Sequence, residues 1–146
     1  THRSVAEEWA REMEYELVCF HAQDARGDEV YHTNVMMSVG DGLALVCLDA
    51  VRDAAERQRL EAALSGAGHE VLGMDLAQLD AFVGNCLFIE PQGGSCVVAM
   101  SERAGLALRP EQRAHIAGSA VEVIAALGTM EHTAGGGVRC CLAVVP

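Results

Sequence analysis

Apolar residues in the first stretch of the chain fall at Val5, Trp9 and Met13, a four-residue spacing that puts them on one face of a helix over residues 5–14. Ser4-Val5-Ala6-Glu7 has the form of a capping box at its start. Residues 15–22 then hold Leu17, Val18, Cys19 and Phe20 in one apolar run, which ends at the turn-forming Asp24-Ala25-Arg26-Gly27 and predicts a buried strand.

From residue 30 the pattern becomes a unit of strand, turn, strand, helix and strand. Residues 30–39 lead into the turn Gly40-Asp41-Gly42, followed by a strand over 43–48, a helix over 53–65 closed by Gly66, and a strand over 70–74. The same order returns with a strand over 84–90, the turn Gln92-Gly93-Gly94, a strand over 95–100, a helix over 110–118 opened by Pro110, and a strand over 120–126. Asn34 then matches Asn85 and Gly42 matches Gly93 at one common offset of 51, and Gln58 falls near Gln112. The units run over about 30–82 and 83–134. A third opens with Gly135-Gly136-Gly137 and a strand over 139–145. Partial units therefore stand at both ends, and such units bury their sheets only by packing against one another, a closed ring being the arrangement that removes exposed edges. The expectation is an α/β fold holding about half of such a ring, with the missing N-terminal half of the same chain as its partner.

Composition narrows the function. A hydrophobic fraction of 51% is ample for a core, and a formal charge of −11 with scattered Lys and Arg argues against nucleic acid. No leader-like segment and no apolar run of about twenty residues is present, so the chain reads as cytoplasmic with no membrane partner. The 6 cysteines and 6 histidines show no metal-ligand spacing, so neither a metal nor another cofactor is expected.

Two segments carry candidate chemistry. Tyr31-His32-Thr33-Asn34-Val35-Met36-Met37-Ser38-Val39-Gly40 sets a histidine near the start of a strand; by itself such a histidine is more often structural. Gly135-Gly136-Gly137-Val138-Arg139-Cys140-Cys141 brings glycines that allow close backbone approach to a strand opening with an arginine and two thiols. A thiol becomes a nucleophile beside a cation or a histidine. Both segments occupy the same place in successive units, and in a ring those places converge on one axis. Asn85 holds the equivalent place in the middle unit, where it either lines the same pocket or caps the local backbone. Strand alternation would let only one of Cys140 and Cys141 face the axis, with Arg139 on the side of Cys141.

These segments, with Phe82-Val83-Gly84-Asn85, resemble the arginine deiminase and amidinotransferase superfamily, most of all its citrulline-utilisation hydrolase branch. The resemblance implies the pentein fold, a pseudosymmetric α/β propeller with an axial active site. It implies Cys140 as the nucleophile and His32 as the acid and base; Asn34, Asn85 and Arg139, which stand in the same segments, are the candidates for binding substrate. It also implies a small guanidino or ureido amino acid as substrate, with hydrolysis through a covalent cysteine adduct. Amidino transfer to an amine, or a pentein that binds without turnover, are the alternatives. Asn34 stands where arginine deiminases carry an acid, and the spacing of the glycines leaves Cys141 as a second candidate thiol. Asp24 and Glu131 are the acids nearest these segments and read as solvated loop residues. The isolated chain is expected to be inactive and to associate with copies of itself.

Overall fold

The computed structural model describes residues 2–90 and 94–143. Helix α1 (Arg3–Glu12) is capped by His2 with no side-chain hydrogen bond, so Ser4 lies inside the helix and the expected capping box does not form. The predicted apolar face exists but is bare: Val5, Trp9 and Met13 are more than half exposed, and Trp9 stacks on Tyr15 at 5.4 Å between ring centroids. Residues 15–22 are not a strand. Their backbone runs beside no partner strand among the described residues, and Leu17 is exposed at 38%. An apolar run becomes a strand only when a neighbour accepts its ladder hydrogen bonds.

The first repeat opens with a single helical turn, α2 (Thr33–Met36), for which His32 is the N-cap residue, and only then enters strand β1 (Met37–Val39). The expected long strand over 30–39 is thus shortened, and His32 precedes a helical turn instead of starting a strand. Gly40 N–H closes the turn on Leu43 O at 2.8 Å, with Gly42 at φ 67°, a conformation natural to glycine. Strand β2 (Leu43–Val46) is fully buried. Asp53 caps helix α3 (Ala54–Gly66) by accepting from Glu56 N–H at 2.8 Å. The chain then returns as strand β3 (Glu70–Gly73), parallel to β2, while β1 is antiparallel to it. Asp75 and Gln78 form a capping box on the short helix α4 (Leu76–Asp80), which hydrophobic periodicity did not reveal.

The second repeat has the same plan. A 3-10 turn, Val83–Asn85, precedes strand β4 (Leu87–Ile89), antiparallel to β5 (Val97–Ser101). The glycine turn expected at Gln92-Gly93-Gly94 lies largely outside the described residues. Helix α5 (Glu102–Ala107), capped by Ser101, was not anticipated, whereas α6 (Pro110–Ala117) begins at its proline as expected. Strand β6 (Val121–Ala125) lies parallel to β5, giving a second three-stranded sheet in the order β4-β5-β6 beside β1-β2-β3. Helix α7 (Gly128–Ala134) ends at Gly135 with φ 67°, and a third turn, α8 (Val138–Cys141), follows. The strand expected over 139–145 is therefore a helical turn in its first part, and 144–146 lie outside the described residues.

Each unit thus begins with a turn of helix where the sequence suggested the start of a strand. The units are locked by close approaches. Ser38 Oγ donates to Cys86 O at 2.9 Å in the core, and Gly40 lies so near Phe88 that an added Cβ would meet its Cγ at 2.5 Å. Gln58 and Gln112 are not equivalent: Gln58 is exposed, while Gln112 is 1% exposed. Gln112 Nε2 donates to Gly73 O at 2.7 Å, and its Oε1 accepts from Gln78 Nε2 at 2.6 Å and from Arg109 N–H at 2.9 Å, joining the first sheet to the second unit.

Candidate functional site

Both α2 and α8 pack on the Val83–Asn85 turn, so that turn brings the histidine segment and the cysteine segment together. The joint is Asn85, 1% exposed. Its Nδ2 donates to Asn34 O at 2.7 Å and to Cys140 Sγ at 3.5 Å. Asn34 and Asn85, predicted to be equivalent from their offset of 51, are in contact through this bond. The backbone leading into the turn is strained. Phe82 takes a left-handed conformation at φ 61°, rare for a bulky residue, with Arg103 stacked at 5.8 Å from its ring centroid.

Glycine explains how closely the three turns approach. A Cβ on Gly84 would lie 2.6 Å from Val35 O and 2.5 Å from Met74 Cε, and a Cβ on Gly137 would lie 2.9 Å from Asn85 Oδ1. At Gly136 the obstacle would be the nucleophile candidate itself, with Cys140 Sγ at 3.0 Å. Cys140 N–H donates to Gly137 O at 3.2 Å, so the glycine and the thiol move as one turn.

Cys140 and His32 are both exposed, and the His32 ring lies 4.5 Å from that of Tyr31. Cys141 is exposed as well. Because α8 is helical, the alternation expected to send the two thiols to opposite faces does not apply; they differ instead in that Cys140 Sγ accepts from Asn85. Arg139 is half-buried on the same turn. Asn34 is half-buried, and its Oδ1 has no hydrogen-bond partner among the described residues, as is true of Asn85 Oδ1. The other thiols differ in kind. Burial pushes the Cys86 thiol up to about 11, outweighing smaller opposing effects that include Ser38 and Arg139, and burial also raises that of Cys47. A buried neutral thiol is a poor nucleophile; Cys19 and Cys96 are half-buried, and Cys140 and Cys141 are the exposed thiols.

The two acids nearest the motifs behave differently from each other. Asp24 stays in its loop: desolvation raises its carboxyl, but the N–H groups of Asp28 and Arg26 and the Arg26 side chain hold it below its ordinary value. Glu131 is no solvated loop residue. It sits in α7 at 4% exposure, and neither carboxylate oxygen has a hydrogen-bond partner among the described residues. Nothing in its spacing distinguished it from an exposed helical acid. Among the described residues no cluster of His, Cys, Asp or Glu is arranged to hold a metal, and no helix is long and apolar enough to cross a membrane.

Comparison with known proteins bears on the family and the fold. The sequence profile of the eukaryotic N,N-dimethylarginine dimethylhydrolases matches residues 1–145. No curated protein sequence matches the chain. Among solved structures, the arginine dihydrolase ArgZ of the cyanobacterial ornithine–ammonia cycle is similar, with a TM-score of 0.70 at 16% identity over 96% of this chain and 20% of ArgZ. The N-terminal domain of ArgZ bound to product gives a TM-score of 0.71 at 16% identity, covering 96% of this chain and 46% of that domain. The same domain covalently bound to a reaction intermediate gives 0.71 at 15% identity. These likenesses establish the pentein fold expected from the sequence motifs, and the chain spans less than half the length of these structures.

Proposed function

Since the chain belongs to the eukaryotic N,N-dimethylarginine dimethylhydrolase family, we propose that it carries the nucleophile half of a hydrolase that cleaves a C–N bond of a guanidino amino acid, with N,N-dimethylarginine the first substrate to test. The observation that carries the proposal is the exposed Cys140 thiol, held by Asn85 on the turn that also receives the His32 segment.

The chemistry requires both residues. A guanidinium carbon is stabilised by resonance and resists attack by water, so a stronger nucleophile and protonation of the leaving amine are needed together. Cys140 thiolate attacks that carbon and forms a C–S bond. The C–N bond to the substituted nitrogen breaks, and the amine departs with a proton from His32, leaving a thiouronium adduct. His32 then takes a proton from water, the hydroxide adds to the same carbon, and the C–S bond breaks. The hydroxyl proton of the adduct passes to solvent as that bond breaks, so the products are a ureido amino acid and an amine that takes up a proton in water, with Cys140 restored as thiolate and His32 protonated again. Asn34 and Arg139 stand beside this centre as candidates to receive the amino acid; the carboxylates that would grip the guanidinium belong to other units of the ring. The covalent intermediate seen in the ArgZ domain is consistent with such a path.

The test is trapping with a haloacetamidine in the full-length protein, read by mass spectrometry, together with turnover of N,N-dimethylarginine, arginine and citrulline. The expected result is label on Cys140 that is suppressed by substrate, loss of turnover in Cys140→Ala, and retention of most turnover in Cys141→Ala. Label on Cys141 alone would reassign the nucleophile. Label on neither, with no turnover, would make the chain a non-catalytic pentein.

A further inference from the structure

We infer that Asn85 acts on the nucleophile and not on the substrate: its carboxamide is a positioning group that fixes Cys140 and donates to its sulfur. The inference rests on Cys140 being the nucleophile proposed above. A carboxamide nitrogen has two hydrogens. In Asn85 one goes to Asn34 O at 2.7 Å and the other to Cys140 Sγ at 3.5 Å. The donor capacity is therefore used up inside the protein. The Oδ1 is buried against Gly137, where even a Cβ would come within 2.9 Å, so it offers no face to a ligand. The equivalent asparagine of the preceding unit, Asn34, contributes its backbone carbonyl to hold the carboxamide in place.

A fixed N–H aimed at sulfur restricts its rotation, and a donor to a charged acceptor is worth more than one to a neutral group. Asn85 is the group placed to do this. Strand β5 and the Val83–Asn85 turn pack on α8 and carry no titratable side chain; Cys86 follows that turn and feels the charge of Arg139, and on α8 itself stand Arg139 and Cys141. Arg139 directly precedes Cys140 and stands two positions before Cys141, and among the described residues the hydrogen bond from Asn85 goes to Cys140.

The inference separates two kinetic constants. In the full-length protein, chloroacetamidine inactivation yields a binding constant KI and a maximal rate kinact. Asn85→Ala and the near-isosteric Asn85→Asp should each lower kinact roughly tenfold with KI unchanged, since a donor to the charged sulfur is lost and no ligand contact is. Site-resolved iodoacetamide labelling should slow at Cys140 by a similar factor and stay constant at Cys141. In the unmutated protein, Cys140 should react about tenfold faster than Cys141, a comparison that holds however the variants fold. A raised KI at constant kinact would make Asn85 a substrate contact and overturn the inference, as would equal labelling of the two thiols in the unmutated protein. Absence of turnover with every guanidino substrate, alongside the expected labelling rates, would defeat the proposed function and leave the role of Asn85 standing.

Discussion

Gly137→Ala should separate the position of Cys140 from the stability of the chain. The new methyl carbon would lie 2.9 Å from Asn85 Oδ1 and 3.4 Å from Asn85 Cβ and Phe82 Cβ. A comfortable carbon–oxygen contact is about 3.3 Å, so roughly 0.4 Å must be recovered. Asn85 is 1% exposed and tied to two turns, so the glycine-bearing turn has to move, and Cys140 moves with it. The strain is about 1–2 kcal/mol, partly offset by the smaller entropy of the unfolded chain. Gly135→Ala is the matched control. It meets nothing within 4 Å, and its cost comes from φ 67° alone, which is again about 1 kcal/mol. Urea denaturation of the full-length protein should find the two variants similarly destabilised, within about 1 kcal/mol of each other. Turnover and Cys140 labelling should differ: a loss of roughly ten- to a hundredfold for Gly137→Ala, and little change for Gly135→Ala. Equal activity in the two variants would refute the claim that Asn85 sets the position of the thiol through this contact.

Two further expectations concern stability. Gln112→Leu leaves the N–H of Arg109 and a donor of Gln78 without their buried acceptor, so unfolding free energy should fall by roughly 3 kcal/mol; a loss below about 0.5 kcal/mol would show that the network between the units relaxes onto other partners. Glu56 accepts from the His21 N–H at 2.7 Å, and this bond, ahead of the opposing desolvation and helped by the His21 ring, holds its carboxyl below the ordinary range. A carboxyl depressed in the folded state stabilises above its unfolded value and loses that stabilisation as the pH falls through the folded one. Glu56→Gln should therefore lower Tm near pH 7, with the gap to the unmutated protein closing toward about pH 3; a gap independent of pH would remove this linkage.

Much of this molecule is legible along the chain because its signals are local. Asp53 and Pro110 mark helix starts through hydrogen-bond and φ preferences that need no distant partner, and Gly42 marks a turn through its positive φ. The repeat, with Asn34 and Asn85 at a common offset of 51, follows from pattern alone. What the sequence left open depended on which groups meet in space. The apolar runs after residues 32, 82 and 137 suit a strand or a helical turn equally, and packing of the three turns on one another selects the turn. Val5, Trp9 and Met13 form a face by spacing, but only the tertiary structure leaves that face bare. Glu131 and Gln112 look like surface residues by type and are buried, since a side chain's environment is set by elements far away in sequence. The bond from Asn85 to Cys140 spans 55 positions, and no local preference encodes it: it exists because Gly84 and Gly137 let three equivalent turns approach more closely than any side chain would permit.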